Sequence, residues 1–160
     1  MPVMMTVAEL ERFFLAEFPQ VFHPECGLAI EAVLERGCRV RQAFRQRSVR
    51  PGGTISGPTI MGLADFAMYV AVLAAIGPVP LAVTINLNIN FLRKAAPRDL
   101  LAEARLLKLG KRLATGEVTI CSQGETEPVA LVTSTYSIPP DDNQTVISNR
   151  SNKCLSRREY

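Results

Sequence analysis

The sequence predicts an α+β domain in which a curved antiparallel sheet of about six strands wraps around one long central helix. Three observations lead there. Residues 58–76 form a helix-length apolar stretch with one charge, Asp65. Six further segments are rich in β-formers or alternate apolar and polar residues (28–34, 38–47, 82–92, 99–109, 112–123 and 128–138). Turn residues at Gly37, Gly110 and 124–127 join several of them directly, which favours antiparallel neighbours. A helix that is apolar all round has to be buried on every side. A sheet wrapped around it does most of that, and a second subunit can cover what remains.

The elements follow in order. Thr6-Val-Ala-Glu9 is a capping-box pattern, and Leu10, Phe13, Phe14 and Phe18 recur at helical spacing, so a helix is expected over 6–18, ended by Pro19. Strands 28–34 and 38–47 come next. The second sets Arg39, Arg41, Arg45 and Arg47 on one side, a row best read as a solvated or edge-protecting face. The Gly-rich loop 50–57 leads into the central helix, with Ser56 placed as N-cap and Pro58 in the first turn, where its missing N–H is no loss. After Gly77-Pro78-Val79-Pro80, strand 82–92 alternates Val83, Ile85, Leu87, Ile89 and Phe91 against Thr84, Asn86, Asn88 and Asn90. The asparagine row is expected to face solvent or another subunit. Residues 1–140 are expected to form a single domain. The stretch 141–160, rich in Asn, Ser and Arg and without periodicity, reads as a flexible polar tail.

Composition excludes several classes. The net charge of +3 is mild and no nucleic-acid-binding motif is present. Four cysteines without CxxC spacing and a single histidine, His23, argue against a metal site. The beginning of the chain lacks the basic-then-apolar pattern of a signal peptide, so a reduced, cytoplasmic protein is expected. The apolar helix approaches the roughly 20 residues that a membrane span needs. Asp65 at its middle, prolines and glycines at its ends, and the lack of flanking basic clusters favour burial in a protein core instead.

An ionised carboxylate in apolar surroundings is costly unless it is paired, hydrogen-bonded or wet. Asp65 therefore reads as a functional acid, a general base or a nucleophile. A purely structural role, capping a loop or pairing with Arg50, stays open.

Three pieces of sequence carry a family likeness. Arg50-Pro-Gly-Gly-Thr-Ile-Ser-Gly-Pro-Thr-Ile-Met-Gly-Leu-Ala-Asp65, the strand beginning Thr84-Ile-Asn-Leu-Asn, and Leu109-Gly-Lys-Arg-Leu-Ala114 occur in the order and spacing of one family. Over about residues 28–138 the chain resembles the hotdog-fold acyl-CoA thioesterases of the phenylacetate-degradation (PaaI-like) type. Ser56 stands where the family usually carries His, Pro58 where it carries a second Gly, and Arg50 where many relatives carry Asn.

The resemblance implies thioester hydrolysis, with Asp65 as base or nucleophile and the helix start at Gly57 as oxyanion donor. Ser56 would orient the loop, and Thr84 would lie near the attacking water. Arg50, Arg93, Lys94, Lys111 and Arg112 are implied for the coenzyme A moiety, whose phosphates suit basic side chains. No cofactor is implied, coenzyme A being part of the substrate. A homodimer or a dimer of dimers is implied, with Asp65 of one subunit facing Gly57 of the other, and no nucleic-acid or membrane partner. The alternative is a non-catalytic hotdog protein that binds an acyl-CoA or related ligand, which the changes at Ser56 and Pro58 favour. Hotdog dehydratases generally rely on a histidine, and His23 lies before the first strand, outside the Gly-rich loop.

Overall fold

The computed structural model describes residues 2–140, and the polar tail expected over 141–160 lies outside them. The elements run α1 (Val7–Glu17), β1 (Leu28–Leu34), β2 (Gly37–Gln42), a 3₁₀ turn (Gln46–Ser48), α2 (Gly57–Ile76), β3 (Val83–Phe91), β4 (Leu100–Leu109), β5 (Leu113–Ser122) and β6 (Pro128–Ser137). All six strands pair antiparallel in the order β1-β2-β4-β5-β6-β3. The sheet curls around α2, the hotdog arrangement that the sequence predicts.

α1 starts where the capping box puts it. Thr6 Oγ1 accepts the Glu9 N–H at 3.3 Å, and Glu9 Oε2 accepts the Thr6 N–H at 2.8 Å. Its buried Phe14 meets α2 through Phe66 (ring centroids 4.9 Å apart) and Tyr69 (5.3 Å). Phe22 stacks on Phe66 from the following loop. The sheet and α1 thus cover α2 from two sides. They leave a stripe where Pro58, Met61 and Gly62 are exposed and Asp65 and Tyr69 are half-buried.

The helix rides very close to the sheet. A Cβ on Gly116 of β5 would come within 2.8 Å of the Met68 side chain and 2.7 Å of the Arg105 carbonyl oxygen. Only glycine leaves room for the helix there. On β2, the buried Cys38 thiol donates to the Ala67 carbonyl of α2 at 3.1 Å.

Two strands differ from the sequence reading. β2 ends at Gln42 rather than 47. Asp99 Oδ1 takes the Phe44 N–H (2.8 Å) and Gly27 O takes the Ala43 N–H (2.8 Å), so the chain leaves the ladder and enters the 3₁₀ turn. The four-arginine row is therefore broken. Arg39 pairs with Glu103, and Arg41 with Glu31 and Asp99, while Arg45 and Arg47 lie beyond the strand. β3 carries a bulge at Ile85, between the Thr84–Tyr136 and Asn86–Thr135 pairs. An extra residue flips the alternation locally. Leu87 and Ile89 are half-buried, whereas Val83 (56 % exposed), Ile85 (58 %) and Phe91 (51 %) lie open on this edge strand.

Burial pushes the Cys38 thiol up to about 12, whereas an unfolded thiol ionises near ~8.5. The folded chain thus binds this proton more tightly than the unfolded one. The contribution is intact below the unfolded value and is lost as pH rises toward the folded one. Unfolding free energy, followed by denaturant titration, is expected to fall above about pH 8.5 by up to ~1.4 kcal/mol per pH unit from this thiol. Cys38→Ala is expected to flatten that loss; an unchanged slope would mean that the thiol is not held neutral.

Candidate active site

Asp65 sits two turns into α2, on the helix stripe that the sheet and α1 leave uncovered. One of its oxygens is fixed. Oδ1 accepts the Thr84 hydroxyl at 2.5 Å and the Tyr136 hydroxyl at 2.9 Å. Tyr136 also shares its proton with the Asp65 backbone carbonyl at 3.0 Å. Thr84 and Tyr136 are register partners on β3 and β6, so strand pairing itself brings the two hydroxyls together. The other oxygen, Oδ2, has no protein partner among the described residues and is not sealed in the interior. It is available to a cavity of about 210 Å³ that Asp65 lines with Phe18, Tyr69, Ala82, Val83 and Thr84. No ion pair among the described residues holds the carboxylate, and Arg50 lies elsewhere, so the pairing left open in the sequence does not form.

Tyr136 is almost fully buried, and its phenol is held well above the ordinary tyrosine value, first by burial and then by the negative charge of Asp65. It stays a donor at any working pH. Its ring stacks on Tyr69 (5.8 Å), whose hydroxyl donates to the Pro80 carbonyl at 2.8 Å. Burial also raises Tyr69, to about 12. The carboxylate is thus anchored to a rigid aromatic pair and oriented through one oxygen only. Sequence reading missed Tyr136. The signal was present in the alternation of β6, where Val132, Ser134 and Tyr136 point inward. A buried tyrosine needs an acceptor, and Asp65 is the lone carboxylate on the helix that β6 packs against.

The start of α2 forms a second centre. Helical hydrogen bonding begins with Ile60 N–H to Ser56 O at 3.3 Å. Pro58 has no N–H, and the Gly57 N–H has no partner among the described residues. Ser56 occupies the N-cap position but does not cap; its hydroxyl pairs with the Thr59 hydroxyl at 2.9 Å. Gly57 lines a cavity of about 410 Å³ together with Arg50, Arg93, Lys94 and Phe91. Three of the five expected basic residues therefore gather at the helix start. Arg93 is held by the Pro128 carbonyl and by Glu127 at 3.5 Å, while Arg50 and Lys94 form no ion pair among the described residues.

Lys111 and Arg112 do not join them. They form the β4–β5 turn, next to the row Leu113–Ser137–Val83, at the Asp65 end of the sheet. Arg112 Nε donates to the Ile138 carbonyl at 3.0 Å. Gly57 and Asp65 are also apart. Eight residues of helix separate them by about 12 Å along the axis, too far for one small group to touch both in a single chain. Among the described residues no cluster of His, Cys, Asp and Glu is placed to hold a metal ion.

Comparison with known proteins agrees with this architecture. The model of the family described as the thioesterase superfamily matches residues 52–129. A solved structure from Silicibacter sp. TM1040, of a protein assigned as a thioesterase, is 42% identical, covers 88% of this chain and 96% of that one, and superposes with a TM-score of 0.79. A mutant of the phenylacetic acid degradation protein PaaI from Thermus thermophilus is 27% identical, with 71% of this chain and 94% of that one covered and a TM-score of 0.63. Zebra fish thioesterase superfamily member 2 is 20% identical over 84% of this chain and 99% of its own, with a TM-score of 0.73, a likeness of fold alone.

Removing the phenol oxygen should be felt by the fold. Tyr136→Phe is expected to lower stability by about 1.5 kcal/mol, the scale of a hydrogen bond to a half-exposed carboxylate. A double-mutant cycle with Asp65→Asn should show coupling above ~0.5 kcal/mol. A coupling of zero in denaturant titrations would mean that the phenol does not sense the carboxylate.

Proposed function

The chain belongs to the thioesterase superfamily, and from that premise we propose that it hydrolyses acyl-CoA thioesters at a site shared between two copies of the chain. The observation that carries this reading is the state of Asp65: one oxygen fixed by Thr84 and Tyr136, the other open to a cavity. A carboxylate held in this way has one lone-pair set committed to orientation and one left for a water.

The need for two copies follows from distance and from the sheet edge. Gly57 and Asp65 are too far apart in one chain, and β3 presents an unpaired edge with Val83, Ile85 and Phe91 exposed. Such an edge is a template for another strand. Two β3 strands paired antiparallel would set the Phe91 end of one chain beside the Val83 end of the other. That brings the Gly57, Arg50 and Lys94 cavity of one protomer to the Asp65, Lys111 and Arg112 end of its partner. It also makes the edge isologous, as a two-fold dimer requires.

In this arrangement Asp65 Oδ2 takes a proton from water as the water oxygen bonds to the thioester carbon. The carbonyl oxygen gathers negative charge and accepts the N–H of the partner's Gly57, at the positive end of the α2 dipole. When the tetrahedral species collapses, the carbon–sulfur bond breaks, and the thiolate leaves with the proton that Asp65 took. The product carboxylic acid gives its remaining proton to solvent and is released as carboxylate. Thr84 and Tyr136 touch the base and not the substrate, so they position it. In the nucleophilic variant Oδ2 itself bonds to the thioester carbon and the carbon–sulfur bond breaks; the thiolate leaves and takes a proton from solvent, and water then opens the mixed anhydride to the product acid and Asp65. In single-turnover hydrolysis in ¹⁸O water, label in Asp65 identifies the anhydride route with opening at the enzyme carboxyl, whereas the general-base route and opening at the acyl carbonyl both put the label in the product.

Two features favour the non-catalytic alternative. The α2 start offers one donor fewer because of Pro58, and Ser56 spends its hydroxyl on Thr59. The test is turnover of a panel of acyl-CoA thioesters by native protein and by Asp65→Asn, followed by release of free thiol. Hydrolysis by the native protein and a loss of at least about a thousandfold in the variant, with fold and oligomeric state kept, is expected. Retained turnover in the variant removes Asp65 from the chemistry. Saturable binding by the native protein without thiol release would establish the binding protein instead.

A further inference from the structure

On the other side of the α2 start from the Gly57 cavity, a separate cavity of about 300 Å³ opens where the loop before β1, the segment after β2 and the first turns of α2 meet. Its lining holds two cations, Arg45 and Arg47, beside the polar side chains of His23, Gln20, Gln42, Ser48 and Thr59. No carboxylate lines it. This is where the run of four arginines divides. Arg39 and Arg41, on the strand, are matched by Glu103, Glu31 and Asp99. Arg45 and Arg47, past the end of β2, form no ion pair among the described residues. Arg45 gives one N–H to the Phe44 carbonyl at 3.2 Å, which fixes its guanidinium and leaves its other donors free.

Two arginines that line one cavity without a counter-charge there repel one another, and an anion bound in the cavity relieves that repulsion. A phosphoryl group suits this donor set better than a carboxylate does, because it has three terminal oxygens to share among guanidinium, imidazole and hydroxyl donors. The cavity is larger than a bare phosphate needs, and Val21, Leu28, Leu63 and Pro58 give it apolar wall. We propose that this cavity binds an organic phosphomonoester, with the phosphate between Arg45 and Arg47 and the organic body against the apolar wall. The site does not depend on the thioesterase reading. It shares no lining residue with the Asp65 cavity or the Gly57 cavity. The phosphate can belong to the nucleotide end of coenzyme A or to a separate small molecule, and the experiment has an arm for each.

Binding is read first without turnover. Adenosine 3′,5′-bisphosphate, phenyl phosphate and inorganic phosphate are titrated calorimetrically into native protein, Arg47→Gln and Arg45→Gln, each variant checked for native circular dichroism. The expected result is saturable binding of the two organic phosphates, weaker binding of inorganic phosphate, and at least about tenfold weaker binding in each variant. Arg47 is exposed on a turn, so Arg47→Gln keeps the test sound if Arg45→Gln fails to fold. No saturable binding of any of the three at millimolar concentration, or equal binding by native protein and Arg47→Gln, overturns the site. The second arm compares a CoA thioester with its dephospho-CoA counterpart. A KM that rises in Arg47→Gln for the first and not for the second places the substrate's own phosphate here. Unchanged KM values together with lost bisphosphate binding place a separate ligand here.

Discussion

Two hydroxyl groups donating to one carboxylate oxygen are the interaction around which the rest of this structure is arranged. Asp65 occupies the least hospitable helix in the chain for a charge. Thr84 and Tyr136 make it tolerable by donating to Oδ1 from adjacent strands. Because both donors address the same oxygen, the other is left free. Had the two hydroxyls been split between the oxygens, neither oxygen would have been left without a protein donor. The pairing of β3 with β6 is therefore a chemical constraint as well as a structural one: register sets Thr84 opposite Tyr136, and the helix then has to place Asp65 above them.

The close ride of α2 over the sheet serves that placement. Gly116 admits Met68, and Cys38 engages the Ala67 carbonyl, so the helix has little freedom to slide or roll. α1 adds Phe14 against Phe66 and Tyr69 from the opposite side. Tyr69 then stacks on Tyr136, linking the aromatic cluster to the acid. Packing, rather than propensity, thus decides which stripe of the apolar helix faces outward, and the stripe left open contains the carboxylate.

Much of this was legible in the sequence. The capping box gave the start of α1, and the one charge in an apolar helix pointed to Asp65. The Gly-rich loop gave the start of α2. What was not legible depended on contacts distant in the chain. The end of β2 is set by Asp99, 55 residues further on, which takes the Phe44 N–H out of the ladder. The bulge at Ile85 is invisible in a sequence that alternates cleanly, and the exposed edge that β3 forms follows from its last place in the strand order. Tyr136 looked like an ordinary strand residue because its acceptor comes from another element. The five basic residues looked like one group and prove to be two, at opposite ends of β3, since strand order rather than residue type decides their position.

If the carboxylate of one protomer works with the helix start of the other, two inactive variants should complement each other when mixed, and this is the most direct test. Asp65→Asn lacks the base, and Gly57→Pro lacks the backbone donor at a position where proline suits a helix start. Co-refolded in equal amounts, half of the dimers combine one chain of each kind, and each such dimer regains one complete site. Thioester hydrolysis should therefore return to about a quarter of the native rate, the value for random pairing in a two-fold dimer. Mixed dimers that form and remain as inactive as either parent would contradict a shared site.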